Sequence, residues 1–184
     1  MPATSPSRST ASASVPRREA PRAAEGVLTW EEVCARPELQ DLPYKIELDR
    51  YGRIVMSPAP SRHSILQRKL QRIIEDALGG IALPECPIDT PEGTKVADVA
   101  WMEESFAVAH QETSAFPVAP PICVEIMSRS NTTGEMEEKV AIYLAKGAQE
   151  VWVHQRDGQL RFFAHEGEIE RSRLAPGAPD RVEL

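Results

Sequence analysis

Two short apolar runs that each carry one acidic residue constrain the fold of this chain most strongly. Asp98 lies within the run Lys95–Met102, and Glu125 lies within the run Ile122–Met127. Runs of this length and composition are typical of buried strands. A carboxylate in such a strand needs a charged partner, a metal ion or an open cleft, because burying an unpaired charge is costly. The two runs therefore predict neighbouring strands whose acids share a partner.

A lysine on the next predicted helix adds a third charged group. Asn131–Thr133 can cap a helix that ends near Gly147, and Lys139 lies in the middle of it. Because Lys139 follows Glu135 by four residues, an ordinary surface ion pair worth about 0.3–0.5 kcal/mol is one interpretation. Beside a metal ion, the ammonium would instead stabilise hydroxide formation and the charge that grows on phosphorus during phosphodiester hydrolysis.

These groups predict a metal site. Carboxylate oxygens with open water positions suit Mg²⁺, and Mn²⁺ is the expected substitute. Asp98 and Glu125 are the candidate ligands, with the backbone carbonyl of Ile126 as a third. For Asp98 taken alone, a salt bridge to Lys95 or an exposed strand face is the more common explanation. No organic cofactor is indicated.

The order of predicted elements gives an α/β fold with a mixed central sheet, in which sites lie at strand ends. A short helix starts after Thr29, a long helix runs from Ser61 to the Gly79-Gly80 stop, and residues 103–121 form a loop with one helical turn. The predicted strands are Tyr44–Asp49, Arg53–Met56, Ile81–Ile88, Val96–Met102, Ile122–Met127, Glu150–His154 and Leu160–Ala164. The predicted core stripe of the long helix is Ile65, Leu66, Leu70, Ile73, Ile74, Ala77 and Leu78.

Composition predicts one globular domain, residues 27–184, after a disordered tail. Residues 1–26 are rich in Ala, Ser, Pro and Arg, so burial could not repay the entropy of ordering them. No apolar run approaches the ~20 residues of a membrane helix, and no apolar segment of the signal-peptide type opens the chain. Three widely spaced cysteines predict buried thiols in a reducing cytoplasm. They are Cys34, Cys86 and Cys123.

The charge balance limits how the chain can bind nucleic acid. Its net charge is −7, which argues against a broad phosphate-binding surface, because that affinity comes mainly from Lys and Arg. A local basic patch can still coexist with an acidic remainder. The long helix carries a basic stripe that could contact phosphate, although a solvated helix face is the more common interpretation. The stripe consists of Arg62, Arg68, Lys69 and Arg72.

Many weak motifs in a fixed order resemble one family. The matching segments are Ile46–Leu48, Gly52–Pro60, Arg62-His63, Ala97–Ala100, Val124–Ile126, Ser128-x-Ser130, Glu135-x-x-x-Lys139 with Tyr143 and Gly147, and Val151–Val153. In this order they resemble the Uma-two family of restriction endonucleases, within the PD-(D/E)XK nuclease superfamily. The resemblance covers about two thirds of the chain.

The resemblance implies a restriction-endonuclease-like α/β/α core with Asp98 and Glu125 as metal ligands. The superfamily motif places its lysine two residues after the glutamate, where this chain has Met127. In this family the lysine comes from the next helix, so the role falls to Lys139. Glu47 corresponds to an acid near the same site. His63 corresponds to the histidine that opens the following helix, although it could also be an ordinary residue of the helix start.

The chain departs from the family pattern in four loops, without losing a proposed ligand or the lysine. It has Ala97 where the family has proline, Pro121 where the family has aspartate, Arg129 where the family has proline, and Gln155-Arg156 where the family has Asp-Pro. These changes affect the surroundings in which a substrate would bind.

Three functional hypotheses follow from the sequence. The first is a Mg²⁺-dependent endonuclease that hydrolyses DNA, with a homodimer as the simplest way to cut both strands. The second is a catalytically silent nuclease-fold module that binds nucleic acid or protein. The third is a buried ion-pair network formed by Asp98, Glu125 and Lys139, in which Asp98→Ala would destabilise the protein by about 3–5 kcal/mol.

Overall fold

The computed structural model describes residues 27–184, and the predicted tail, residues 1–26, lies outside the described residues. The helices are α1 (Trp30–Cys34), α2 (Ser61–Leu78), α3 (Glu104–His110) and α4 (Thr133–Ala145), and a 3₁₀ turn covers Pro37–Leu39. The strands are β1 (Tyr44–Leu48), β2 (Ile54–Pro58), β3 (Ile81–Thr90), β4 (Gly93–Met102), β5 (Ile122–Ile126), β6 (Glu150–His154), β7 (Leu160–Ala164) and β8 (Gly167–Ile169).

A six-stranded mixed sheet forms the centre of the fold, with strand order β3-β4-β5-β6-β7-β8. Four of its five strand pairs are antiparallel, and β5 and β6 are parallel. Helix α4 connects these two strands, because a parallel pair needs a crossover rather than a tight turn. Strands β1 and β2 form a separate hairpin, and β1 packs beside β4.

Helices cover both faces of the sheet, so the predicted α/β/α architecture is confirmed. On one face, Leu66, Leu70 and Ile74 of α2 belong to one buried cluster with residues of β3 to β7. On the other face, the buried stripe of α4 packs against alternate residues of the same strands. That stripe consists of Met136, Val140, Tyr143 and Leu144, as predicted.

Helix α2 differs from its predicted pattern at two kinds of position. Ile65 and Ala77, both predicted in the core, are exposed, Ile65 to 49%. By contrast, Gln67 and Gln71 are buried, and they donate to the carbonyls of Asp98 and Ala82. Ala82 lies on β3 at the sheet edge, and Asp98 lies on β4 at a break in its pairing with β3, so each carbonyl can accept from a side chain of α2. Polar side chains of α2 therefore occupy places that a purely hydrophobic stripe would fill.

Other local predictions also need correction. The 103–121 segment contains the two-turn helix α3, whose Phe106 and His110 pack against Phe116. Strand β8 was not predicted, because three residues give too short a pattern. Cys34, predicted to be buried, is exposed near the end of α1, whereas the other two cysteines are buried.

A glycine lets the β1-β2 hairpin approach the central sheet closely. Gly93 has φ of 91° at the start of β4, and a Cβ there would collide with the carbonyl oxygens of Leu48 and Asp49. Glu47 of β1 then accepts a hydrogen bond from the backbone N–H of Val96 at 3.0 Å. These contacts hold the hairpin over the end of β4 that carries Asp98.

Candidate active site

Asp98 and Glu125 lie opposite each other on adjacent antiparallel strands. The register that pairs Val99 with Val124 continues, one residue further, to Asp98 and Glu125. Both residues are only 2% exposed. Oδ2 of Asp98 accepts a hydrogen bond from the backbone N–H of Ile126 at 2.6 Å. The two acids therefore share one end of the sheet, as the sequence predicts.

Helix α4 brings Lys139 to the same place. Its Nζ donates to Glu47 Oε1 at 2.8 Å and lies 3.2 and 3.1 Å from the two carboxylate oxygens of Glu125. One turn later, the hydroxyl of Tyr143 donates to Glu125 Oε1 at 2.7 Å. Glu135, the alternative partner of Lys139 in a surface ion pair, instead completes the capping box with Thr132. Lys139 is thus a half-buried cation between Glu47 and Glu125 rather than part of a solvated helix face.

Lys45 is a second lysine in the cluster, and the sequence did not single it out. Its Nζ donates to Asp98 Oδ1 at 2.5 Å. The same nitrogen lies 3.7 Å from Glu125 Oε2 and 3.8 Å from Glu47 Oε1. Lys45 and Glu47 are two residues apart on β1, so their side chains leave the strand on the same face. That spacing was the available signal for Lys45.

His63 and Glu85 also lie next to Asp98. Nε2 of His63 lies 3.2 Å from Asp98 Oδ1. Glu85 occupies the β3 position opposite Asp98 and adopts φ of 47°, in the left-handed region that residues other than glycine seldom use. Gln67 donates to Glu85 Oε1 and to the Asp98 carbonyl. Ligand atoms of His63, Glu85 and Asp98 lie within 4.8 Å of one another.

Glu85 was also missed by sequence reasoning, although the same signal that marks Asp98 was present. It is the acid in the apolar run Ile81–Ile88, just as Asp98 and Glu125 are the acids in theirs. The three acids consequently occupy matching positions on β3, β4 and β5.

The surrounding carboxylates keep both lysines charged although both are shielded from water. Burial opposes the charge on Lys45, but the carboxylates of Asp98, Glu125 and Glu47 outweigh it, so the pKa of Lys45 lies well above its ordinary value. The pKa of Lys139 is raised for the same reason, chiefly through Glu125. At neutral pH both lysines therefore act as cations, and neither can serve as a neutral base.

The carboxylates differ in their tendency to hold a proton. Burial also opposes the charge on Asp98, but Lys45 outweighs it and holds the pKa of Asp98 well below its usual range. Burial opposes the charge on Glu47 as well, and Lys139 and Lys45 still lower its pKa. For Glu125, burial prevails over both lysines and its pKa is raised. The cluster thus contains carboxylates with opposite proton affinities, a pattern typical of functional sites.

The cluster opens into a pocket of about 710 Å³. Its rim is formed by the loops after β2, β5 and β6 and by the start of α2. Three exposed arginines lie on this rim: Arg62, Arg129 and Arg156. The two rim loops that contain Arg129 and Arg156 are also two of the four loops that depart from the family pattern.

Arg156 binds the loop that follows β5. Its Nε donates to the carbonyl of Ser128 at 2.9 Å, and its Nη2 donates to the carbonyls of Arg129 and Asn131. The side chain of Asn131 accepts from the backbone N–H of Ser128 at 3.0 Å. Arg129 and Arg156, which both depart from the family pattern, therefore contact each other. Hydrogen bonds, rather than proline residues, hold this part of the rim.

Comparison with known proteins gives the family and the fold of this chain. The sequence profile of the Uma2 family, described as "Putative restriction endonuclease", matches residues 30–183. Among solved structures, a protein from Anabaena variabilis described as "a putative nuclease belonging to DUF820" has a TM-score of 0.61 and 20% sequence identity, over 80% of this chain and 91% of that one. At that identity the likeness establishes the fold alone. No curated protein matches this sequence. Within residues 27–184, no helix is long and apolar enough to cross a membrane.

Proposed function

Since this chain belongs to the Uma2 family of restriction-endonuclease-like nucleases, we propose that it is a metal-dependent endonuclease that hydrolyses phosphodiester bonds in DNA. One observation carries the proposal. Three carboxylates, from Asp98, Glu125 and Glu47, converge within 3.8 Å of a single point, the Nζ atom of Lys45, at the floor of an open pocket. A structural salt bridge needs one partner acid, whereas this arrangement gathers three.

The donor set fits a hard divalent cation. Carboxylate oxygens are the ligands that Mg²⁺ and Mn²⁺ prefer, and both ions keep several water ligands, for which the pocket has room. Asp98 and Glu125 are the proposed ligands, with the carbonyl of Ile126 as the third. His63 and Glu85 offer further donors around Asp98. When bound, the ion supplies Lewis acidity that lowers the pKa of water and stabilises the leaving oxygen.

Glu47 and Lys139 have different roles in the proposed hydrolysis. Water attacks phosphorus, the bond from phosphorus to one ester oxygen breaks, and the released oxygen ends with a proton. Glu47 is ionised and its side chain is 13% exposed, more than the other two acids, so it can accept the proton that water loses. Lys139 remains cationic beside it and stabilises the charge that grows on phosphorus.

The pocket rim supports a nucleic-acid substrate despite the net charge of −7. Arg62, Arg129 and Arg156 concentrate positive charge at the entrance. Arginine suits phosphate because its planar fork of donors can bond two phosphate oxygens together. The acidic remainder of the surface would confine the DNA to this entrance.

The proposal is tested by cleavage of supercoiled and single-stranded DNA with Mg²⁺ or Mn²⁺. Asp98→Asn and Lys139→Met are each expected to lower the rate by about 100-fold or more, because each removes a group that acts on the developing charge. Lys95→Met is the matched control, since Lys95 lies on the same strand as Asp98 and contacts the carbonyl of Leu48 instead of a carboxylate. Thermal melting of each variant separates lost chemistry from lost folding.

One observation favours a second candidate, the catalytically silent binding module. Lys45 and Lys139 already pair with the carboxylates, so most of their charge is balanced without an ion. If the wild-type protein cuts neither DNA substrate and its melting temperature does not respond to Mn²⁺, the silent module replaces the nuclease.

A further inference from the structure

Lys45 occupies the place where three acidic side chains converge. Its Nζ lies 2.5 Å from Asp98, 3.7 Å from Glu125 and 3.8 Å from Glu47. The side chain is only 9% exposed. An ion that binds both proposed ligands, Asp98 and Glu125, has to lie within reach of oxygens of both, and in this structure the ammonium of Lys45 lies there.

Charge and space both prevent simultaneous occupation. An ammonium and a divalent cation repel each other strongly at the separations found inside a ligand sphere, where little water screens them. Metal–oxygen distances of about 2 Å leave no room for a nitrogen between the ion and its ligands. Binding of an ion therefore requires Lys45 to leave.

We propose that Lys45 is a displaceable internal counter-ion: it neutralises the carboxylates in the metal-free protein and competes directly with the divalent cation for their oxygens. The inference rests on the proposed metal site. It explains how three buried acids are tolerated before an ion arrives, because two lysines balance most of their charge. It also means that the observed affinity for metal is lower than the intrinsic affinity, because binding has to displace Lys45.

Lys139 provides the internal comparison. It is buried against two of the same carboxylates, Glu47 and Glu125, but not against Asp98. It approaches from α4, whereas Lys45 approaches from β1. Removing Lys139 therefore lowers the local positive charge by the same amount as removing Lys45. It leaves the Lys45 ammonium in place among the three carboxylates.

The experiment is calorimetric titration of Mn²⁺ into the metal-free wild type and the variants Lys45→Met, Lys139→Met and Lys95→Met. We expect Lys45→Met to bind Mn²⁺ at least about tenfold more tightly than wild type, a change of about 1.4 kcal/mol. Lys139→Met should gain clearly less, and Lys95→Met should match the wild type. Melting in EDTA and in Mn²⁺ gives a second readout, in which Lys45→Met is less stable than wild type in EDTA and gains more from Mn²⁺.

The outcomes separate this inference from the proposed nuclease. If the wild type binds Mn²⁺ and cleaves DNA, but Lys45→Met binds no more tightly than wild type or than Lys139→Met, the counter-ion role is overturned and the nuclease stands. If Lys45→Met binds Mn²⁺ tightly and the wild type cleaves nothing, the counter-ion role is supported and the nuclease fails. If neither protein binds Mn²⁺, the counter-ion role is also overturned. Should Lys45→Met not fold, Lys45→Gln is measured in its place.

Discussion

Asp98 illustrates how a single side chain can serve two purposes at residue scale. Its Oδ1 atom faces Lys45 and His63 and opens toward the pocket. Its Oδ2 atom accepts from the backbone N–H of Ile126 and so holds β4 to β5 just beyond their last paired residues. The first oxygen is available for chemistry, and the second is part of the sheet.

Substitution of Asp98 should separate these two purposes. Asp98→Ala leaves Lys45 without its closest partner and the N–H of Ile126 without an acceptor, and we expect a loss of about 3–5 kcal/mol in the free energy of unfolding. Asp98→Asn keeps an oxygen that can accept from the N–H of Ile126, so its free energy of unfolding should fall by only roughly 1–2 kcal/mol. Urea denaturation in EDTA measures both. A gain in stability on removing Asp98, as expected for one of two repelling acids, would contradict the paired arrangement.

Glu150 is the contrasting buried acid. It is 2% exposed and accepts from Trp152 Nε1, Ser172 Oγ and the backbone N–H groups of Arg173 and Leu174. All four donors are neutral, and the three from residues 172–174 attach that segment to the start of β6. Burial of a carboxylate therefore does not by itself indicate a catalytic role, whereas a set of carboxylates with cations at the floor of a pocket does.

At the scale of elements, the site depends on three segments that approach the end of the sheet from different directions. Strands β4 and β5 supply Asp98 and Glu125, the β1-β2 hairpin supplies Lys45 and Glu47, and α4 supplies Lys139. The hairpin is the least embedded of these, because it pairs only with itself and packs on β4. Movement of this hairpin would change the position of Lys45 and Glu47 together.

The loop of residues 127–131 should depend on one arginine. Arg156→Ala removes hydrogen bonds to the carbonyls of Ser128, Arg129 and Asn131. We expect faster amide hydrogen exchange in residues 127–132 and little change elsewhere, because local opening is governed by local contacts. Global stability should fall by no more than about 1 kcal/mol, since these bonds lie at the surface. Arg161→Ala, which breaks an exposed pair with Glu168 on β8, is the control and should leave this loop unchanged.

At the scale of the whole molecule, positive charge is concentrated at one entrance on an acidic protein. The net charge is −7, yet three arginines line the pocket rim. Of the basic stripe predicted on α2, only Arg62 lines the pocket. Arg62 faces the pocket, whereas Arg68 lies near Glu75 and Lys69 contacts the carbonyl of Glu183.

This division predicts the salt dependence of DNA binding. The double variant Arg62→Ala/Arg129→Ala should bind a labelled duplex more weakly, with a slope of log K against log salt that is shallower by about 2, because each lost phosphate contact removes ~0.9. The double variant Arg68→Ala/Arg72→Ala removes the same charge away from the pocket and should keep the slope of the wild type. Fluorescence anisotropy in EDTA measures both without cleavage. Equal slopes for the two double variants would contradict binding at the pocket rim.

Homodimer formation stays a prediction, which sedimentation velocity of the free protein would test.

The sequence by itself determined the elements and much of the acid cluster. Periodicity located α2 and α4, and apolar runs located β3 to β6. The isolated acids Asp98 and Glu125 were expected to meet, and they lie opposite each other on adjacent strands. These inferences succeed because hydrophobic spacing and the cost of burying charge act over a few residues. The same signal marked Glu85 and Glu150, and the sequence alone could not rank those acids, because their partners lie far away along the chain.

Only the tertiary structure decided which charges meet. Lys45 and Asp98 are separated by 53 positions and Lys139 and Glu47 by 92, yet each pair is in contact. The strand order, the close approach allowed by Gly93 and the crossover through α4 bring these side chains together. Such contacts depend on how elements pack, and no local pattern encodes them. The position of Lys45 among three carboxylates, which underlies the competition with metal, follows from that packing alone.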